Sequence, residues 1–164
     1  MREAAGGISW VPEDRLHLTM EFLGEQPESG VPALTAALSG AVGRHAPVSL
    51  ALRGLGAFPN LRAPRIVWMG VEPDPKLELL QHDLARVCGE LGYEREARAF
   101  RPHITLGRAR ARVKADAARA LASAARAVEY AGVVEVRTVD LMESRLLPAG
   151  ARYSVVAAMP LGGG

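Results

Sequence analysis

Two short segments of the sequence combine a histidine and a threonine at the same spacing. His17 precedes Thr19 in RLHLTMEF, and His103 precedes Thr105 in RPHITLGR. Histidine exchanges protons near neutral pH, because its ordinary pKa is about 6.5, and a threonine hydroxyl donates hydrogen bonds. Two such motifs together hold the groups for acid–base cleavage of a phosphodiester. One histidine would act as the base, the other as the acid, and the hydroxyls would bind non-bridging oxygens.

Both motifs are predicted to lie on β-strands, at residues 16–23 and 103–108, where apolar and polar residues alternate. Successive side chains of a strand point to opposite faces, so the histidine and threonine of each motif share one face. One such motif alone is more often a packed part of a strand than a functional site. Two copies 86 positions apart favour an internal repeat, with one motif in each half of the chain facing the other across a cleft.

The remaining pattern predicts an α+β fold of two similar lobes. Each lobe is expected to be a small, mostly antiparallel sheet with helices on its outer side, with the active-site cleft between the lobes. Residues 1–164 would form a single domain. Further strands are predicted at 8–11, 48–53, 65–71, 133–143 and 152–159, and helices at 29–44 (capped by Ser29), 74–91 and 113–128. The loops at 54–64 and 144–151 would determine which substrate is bound.

The composition narrows the range of partners. A net charge of +2 is too small for a general polyanion binder, although one segment, 95–114, is strongly basic and favours phosphate or nucleic acid. That segment holds seven basic residues against the single acid Glu96: Arg95, Arg98, Arg101, Arg108, Arg110, Arg112 and Lys114.

A single cysteine excludes an internal disulfide. With no signal peptide and no membrane-spanning run in the sequence, a cytoplasmic protein is expected. A monomer is expected because no segment is typical of an assembly interface. Cys88 is expected to be buried and unreactive. No metal or other cofactor is expected, because a zinc site made by His17, His103 and Glu21 would lack the usual closely spaced pair of ligands.

The motifs and their flanks resemble the two-histidine phosphoesterases. Within that superfamily they are most similar to the bacterial and archaeal RNA 2′,3′-cyclic phosphodiesterases, also known as 2′-5′ RNA ligases. The resemblance rests on ISWVPEDRLHLTMEFLGE, on FRPHITLGRAR and on LMESRLLPAGARYSVVAAMPL, and extends from about Ile8 to Leu161. Met20 stands where the family usually has leucine. Members usually begin with a strand and a long helix before the segment ISWV, and residues 1–164 are expected to lack both.

The resemblance implies specific roles. His17 and His103 would be the acid–base pair, with His103 as base and His17 as acid, and Thr19, Thr105 and Arg108 would bind the phosphate. The expected substrates are RNA ends or a small nucleotide with a 2′,3′-cyclic phosphate, opened to a 2′-phosphate.

Two alternatives stay open. In the first, the same chemistry acts on another ester, such as a 2′-5′ oligonucleotide or an ADP-ribose cyclic phosphate. In the second, the protein is a module that binds RNA without turnover. Phe22 is expected to pack in the core beneath the site, with a contact to a substrate base as the alternative.

Overall fold

The computed structural model describes residues 7–94, 98–128, 130–147 and 150–162. These ranges contain seven strands and three α-helices, and they confirm the predicted α+β class. The strands are β1 Ile8–Trp10, β2 Val48–Phe58, β3 Ile66–Val71, β4 His103–Ala109, β5 Ala131–Val136, β6 Thr138–Leu147 and β7 Gly150–Pro160. The helices are α1 Val31–Val42, α2 Pro75–Glu90 and α3 Ala115–Ala127.

The chain forms two compact units, and each unit collects three separate segments. The first unit comprises Met1–Thr19, Leu50–Pro73 and Arg101–Val134, and the second comprises Met20–Ser49, Asp74–Phe100 and Glu135–Gly164. Both histidine–threonine motifs therefore belong to the first unit. The motifs lie in different halves of the sequence, but strand β4 pairs with the N-terminal strand β1 and so brings the second motif into the same unit as the first.

The first unit is built on an antiparallel sheet with the strand order β1-β4-β3-β2-β5. One face of this sheet carries the core of the unit, where the side chains of Val67 on β3 and Leu121 on α3 are almost fully buried. Ile8, Trp10 and Leu61 pack against that pair. Helix α3 thus covers one face of the sheet, which we call the core face. The side chains of His103 and Thr105 on β4 lie on the opposite face.

The second unit contains helices α1 and α2 and the antiparallel hairpin of β6 and β7. Asp74 caps α2 by accepting hydrogen bonds from the backbone N–H groups of Lys76 and Leu77, at 2.9 and 3.0 Å, and Pro75 occupies the first turn, as its fixed φ favours. The core joins both helices to the end of β7. Its buried members include Leu34, Leu38, Val42, Leu80, Leu84, Val87, Cys88 and Met159.

Burial of Cys88, predicted from its helical position, is confirmed, and it raises the pKa of the thiol above its ordinary value. A thiol with a raised pKa forms less of the reactive thiolate. No helix in the described part of the chain is both long and apolar enough to span a membrane.

The predicted strand at 16–23 is wrong for most of its length. Glu13–Arg15 form a 3-10 turn, and only Leu18 then makes an isolated antiparallel bridge, to Ile104. The side chain of Phe22 is 71% exposed, so its expected place in the core is also wrong. Alternation of residue types marks faces, but a strand also needs a neighbour to pair with.

Three other boundaries differ from the prediction. Strand β2 continues through residues 54–58, because its register shifts between Leu52 and Leu55 and Gly54 adopts a φ of 73° there, a conformation that glycine adopts readily. The strand predicted at 133–143 is divided between β5 and β6. Helix α1 begins at Val31 after a 3-10 turn, without a cap from Ser29. Within the predicted loop 144–151, residues 148 and 149 lie outside the described residues.

The side chain of Asp83 provides a test of stability in the second unit. It accepts a hydrogen bond from Nε2 of His45 at 2.9 Å, and that bond, with Arg86 and Arg44 nearby, lowers the pKa of the carboxyl. A lowered pKa means that the ionised carboxylate stabilises the fold above the ordinary aspartate pKa of about 3.9, and that this contribution is lost as the pH falls through the lower value.

We expect Asp83→Asn to lower the free energy of unfolding at pH 7 by about 1 kcal/mol, with a smaller difference from the parent protein below about pH 4. Urea unfolding at pH 7 and pH 3 measures both effects. Asp140→Asn, at an exposed position on β6, is the control. A loss that is equal at the two pH values would contradict the role of the charge.

Candidate active site

The register between β3 and β4 defines a face of the sheet that carries the second motif. His103 lies opposite Gly70 and Thr105 lies opposite Trp68. Gly70 and Trp68 are two positions apart on β3, so they share a face, and so do their partners. We call this face the motif face. It is the side of the sheet opposite the buried Val67.

A β-bulge in β4 brings Arg108 onto the motif face. Val67 lies opposite Gly107 while its neighbour Trp68 lies opposite Thr105, so β4 has one extra residue, Leu106, at this point. Strict alternation from His103 would direct the side chain at position 108 to the core face. With the bulge, Arg108 lies opposite Ile66 and shares the face of the histidine and the threonine. Bulges commonly redirect side chains in this way beside active sites.

The isolated bridge between Leu18 and Ile104 places the first motif beside the second. In an antiparallel bridge the flanking residues face each other, so His17 lies across from Thr105 and Thr19 lies across from His103. Side chains directly opposite each other in such pairs have Cβ atoms about 4.5–5.5 Å apart. Ile104 lies opposite Met69, on the core-face side, so all four motif residues belong to the motif face.

Both histidine rings are held by the same local hydrogen bond. Nδ1 of His17 lies 2.9 Å from the backbone carbonyl of Arg15, and Nδ1 of His103 lies 2.7 Å from that of Arg101. A carbonyl only accepts, so each Nδ1 must carry the proton. The tautomer is thereby set, and proton exchange with a substrate would use Nε2 of each ring.

Two aromatic rings pack against His103. The ring of Phe58 meets it edge-on with centroids 5.2 Å apart, and the ring of Trp68 lies at 6.3 Å. The two aromatic rings are themselves 5.4 Å apart. Among the described residues the indole N–H of Trp68 has no acceptor, so packing holds this ring in place. His103 is half-buried, whereas His17 is exposed.

Gly56 leaves the space that the ring of Trp68 occupies. It lies opposite Trp68 in the register of β2 and β3, and a Cβ atom at this position would lie 2.2 Å from the indole ring. Such an approach is far inside van der Waals contact, so any larger residue at position 56 must displace the ring.

The motif face holds the five site residues predicted from the sequence: His17, Thr19, His103, Thr105 and Arg108. Glu21, considered above as a third zinc ligand, belongs to the second unit and accepts a hydrogen bond from Gln81 at 3.0 Å. Across the described ranges, no three His, Cys, Asp or Glu side chains come together as a metal site.

A cavity of about 290 Å³ lies elsewhere in the first unit, between α3 and the segment that follows β2. Its lining contains no residue of either motif. The lining residues are Leu61, Arg62, Ala115, Ala118, Arg119 and Ala122.

Sequence reasoning missed the residues that hold the histidines. The carbonyls of Arg15 and Arg101 stand two positions before each histidine, so the repeated pattern is longer, Arg-x-His-x-Thr. That longer repeat was visible in the sequence. Phe58 and Trp68 carried no such signal, because only the strand register brings them to His103.

Sequence comparison places this arrangement among known proteins. The sequence profile of the 2′-5′ RNA ligase superfamily matches residues 2–146. The RNA 2′,3′-cyclic phosphodiesterase of Geobacillus stearothermophilus is 36% identical over 93% of this chain and 48% of its own length. That of Archaeoglobus fulgidus is 33% identical over 93% of this chain and 85% of its own length. The chain therefore spans about half the length of the first relative and most of the second.

Solved structures agree with the sequence comparison. The protein TT0787 of Thermus thermophilus has a TM-score of 0.79 at 32% identity, over 96% of this chain and 84% of its own. Escherichia coli LigT complexed with 3′-AMP has a TM-score of 0.69 at 26% identity, over 94% and 82% of the two chains. With the superfamily profile matched over most of its length, this chain belongs to the 2′-5′ RNA ligase superfamily.

Proposed function

We propose that this chain is an RNA 2′,3′-cyclic phosphodiesterase that opens the cyclic phosphate to a 2′-phosphate by histidine acid–base catalysis, without a metal ion. The observation that carries the proposal is the isolated bridge between Leu18 and Ile104, which aligns two histidine–threonine pairs on one face. The names of the relatives from Geobacillus and Archaeoglobus support the same substrate.

In the proposed reaction, Nε2 of His103 removes a proton from water as the oxygen attacks phosphorus. The bond between phosphorus and the ribose 3′-oxygen breaks, and His17 protonates that oxygen, which leaves a 2′-phosphate and a 3′-hydroxyl. Thr19 and Thr105 donate hydrogen bonds to the non-bridging oxygens. Arg108 balances the negative charge that grows there in the transition state.

The same groups can serve a second nucleophile. If a ribose 5′-hydroxyl replaces water as the nucleophile, the product is a 2′-5′ linkage, which is the reaction in the superfamily's name. We further propose that residues 1–164 act as one catalytic domain, and that the protein is a cytoplasmic monomer.

Hydrolysis of a short RNA that ends in a 2′,3′-cyclic phosphate, measured with EDTA present, tests the proposal. We expect a product with a terminal 2′-phosphate, identified against synthetic 2′- and 3′-phosphate standards. Protein carrying both His17→Ala and His103→Ala, purified in parallel, controls for contaminating nucleases. A 3′-phosphate product, or turnover that EDTA abolishes, would contradict the proposed reaction.

Gly56→Ala tests whether the aromatic rings position His103. The added Cβ must displace the ring of Trp68, so we expect kcat for the cyclic phosphate to fall roughly 10- to 100-fold while KM stays within about two-fold. Gly40→Ala, in helix α1 where an added Cβ meets open space, is the matched control. If tryptophan fluorescence shifts but kcat does not change, the position of His103 does not depend on Trp68.

A further inference from the structure

The two units carry opposite net charges. The described residues of the first unit hold eleven lysine or arginine and four aspartate or glutamate side chains, a net charge of +7. Those of the second unit hold seven and eleven, a net charge of −4. The overall charge of +2 conceals this difference. Of the basic segment noted in the sequence, Arg95 and Glu96 lie outside the described residues.

The positive charge of the first unit extends along the motif face beyond the catalytic motifs. The backbone N–H of Arg110 donates a hydrogen bond to the carbonyl of Gly7 at 3.0 Å. The pairing of β1 with β4 therefore continues for one residue beyond the end of β4. Nη2 of Arg110 reaches the hydroxyl of Ser9 at 3.4 Å. Ser9 lies directly opposite Arg108, so Arg110 and Ser9 share the motif face with Arg108.

The side chain of Arg110 is available to an anion. It is exposed, and within the described part of the chain its guanidinium forms no ion pair with a carboxylate. From His103 to Arg110 the strand advances roughly 20 Å, at about 3.3 Å per residue with one residue taken up by the bulge. Phosphates of one strand are about 3.4 Å apart along the axis of stacked double-stranded DNA, and an extended single strand advances further per nucleotide, so the distance from His103 to Arg110 is longer than one nucleotide.

We propose that Arg110 and Ser9 form a second phosphate subsite, which holds an internucleotide phosphate of the RNA strand that precedes the cyclic end. The inference rests on the proposed function and specifies its substrate as an oligonucleotide end in preference to a free cyclic mononucleotide. The guanidinium supplies a charge-assisted hydrogen bond to a phosphate oxygen, and the Ser9 hydroxyl donates a second one.

The test compares two substrates with the same reacting group. One is adenosine 2′,3′-cyclic phosphate, and the other is a pentanucleotide that ends in it. We expect the parent protein to have a higher kcat/KM for the pentanucleotide, and Arg110→Gln to reduce the ratio of the two kcat/KM values about five- to ten-fold. Arg126→Gln, which removes the same charge from an exposed position on α3 in the same unit, should leave the ratio unchanged.

Binding supplies a readout that does not depend on turnover. The Kd for a pentanucleotide ending in a 2′-phosphate should rise about five- to ten-fold in Arg110→Gln, and the slope of log Kd against log salt should fall by about 0.7, as for one lost contact to a single strand.

The outcomes separate the two proposals. If the parent protein turns over neither substrate, the proposed function fails, and a selective loss of binding in Arg110→Gln would still support the subsite. The subsite is overturned if the ratio does not change, if the parent protein shows no preference for the pentanucleotide, or if Arg126→Gln weakens binding as much as Arg110→Gln.

Discussion

Replacement of His103 by alanine should lower kcat for a 2′,3′-cyclic phosphate end about 10²- to 10⁴-fold, the usual contribution of a general acid or base, with KM within a few-fold of the parent value. Nδ1 of this ring donates its proton in a hydrogen bond to the carbonyl of Arg101, so Nε2 would exchange protons with the substrate. Steady-state kinetics with a chelator present measure the loss. His82→Ala, which removes an exposed histidine from helix α2, is the control.

His17→Ala should cause a loss of similar size, and the double variant should be little worse than either single one. The rate losses from removing two groups that act in the same step are strongly non-additive, because the base contributes little once the acid is missing. If the loss in the double variant equals the product of the two single losses, the histidines act independently and the acid–base pair is ruled out.

A modified substrate separates the two roles. When sulfur replaces the departing 3′-oxygen, the leaving thiolate needs no proton, so the acid becomes dispensable while the base does not. We expect this substrate to restore much of the rate of His17→Ala and little of the rate of His103→Ala. The reverse pattern would exchange the roles of acid and base.

Replacement of Arg108 by alanine should cost about 10²-fold in kcat, the effect of removing one preorganised donor to a developing negative charge. Arg108→Lys should recover little of this, because an ammonium group lacks the planar pair of donors that a guanidinium presents to phosphate oxygens. The loss should be similar for the cyclic mononucleotide and the oligonucleotide, unlike the selective loss expected for Arg110→Gln.

Arg112→Ala is the control for Arg108→Ala, since it removes an exposed arginine from the segment after β4. Equal losses in the two variants would mean that the general positive charge of the unit matters, and that the bulge has no special role. Unfolding in urea should show that both variants keep the stability of the parent protein.

Local patterns predicted most of the individual elements. Helix α2 was recognisable because an aspartate cap, a first-turn proline and a helical row of leucines all indicate the same structure. Strand β3 was recognisable as a short apolar run bounded by Pro64 and Pro73. The strand predicted at 16–23 was wrong because its pattern is local, whereas a strand depends on a partner, and Leu18 alone finds one in Ile104.

The site itself was predictable only in part. Identical spacing in the two motifs indicated His17, Thr19, His103 and Thr105, and the resemblance supplied Arg108. Spacing alone argues against Arg108, since position 108 should face away from position 103 on a regular strand. The extra residue in β4 reverses that orientation, and a bulge of this kind leaves no reliable mark in a single sequence.

The division of the first unit into three separate segments has a consequence for synthesis of the protein. His17 and His103 are 86 residues apart, and at about 5–20 residues per second the second histidine is made roughly 4 to 17 seconds after the first. During that interval the nascent chain lacks β4, the strand that lies between β1 and β3. The N-terminal segment therefore remains unpaired during that interval. The proposed activity can arise only after Arg108 has left the ribosome.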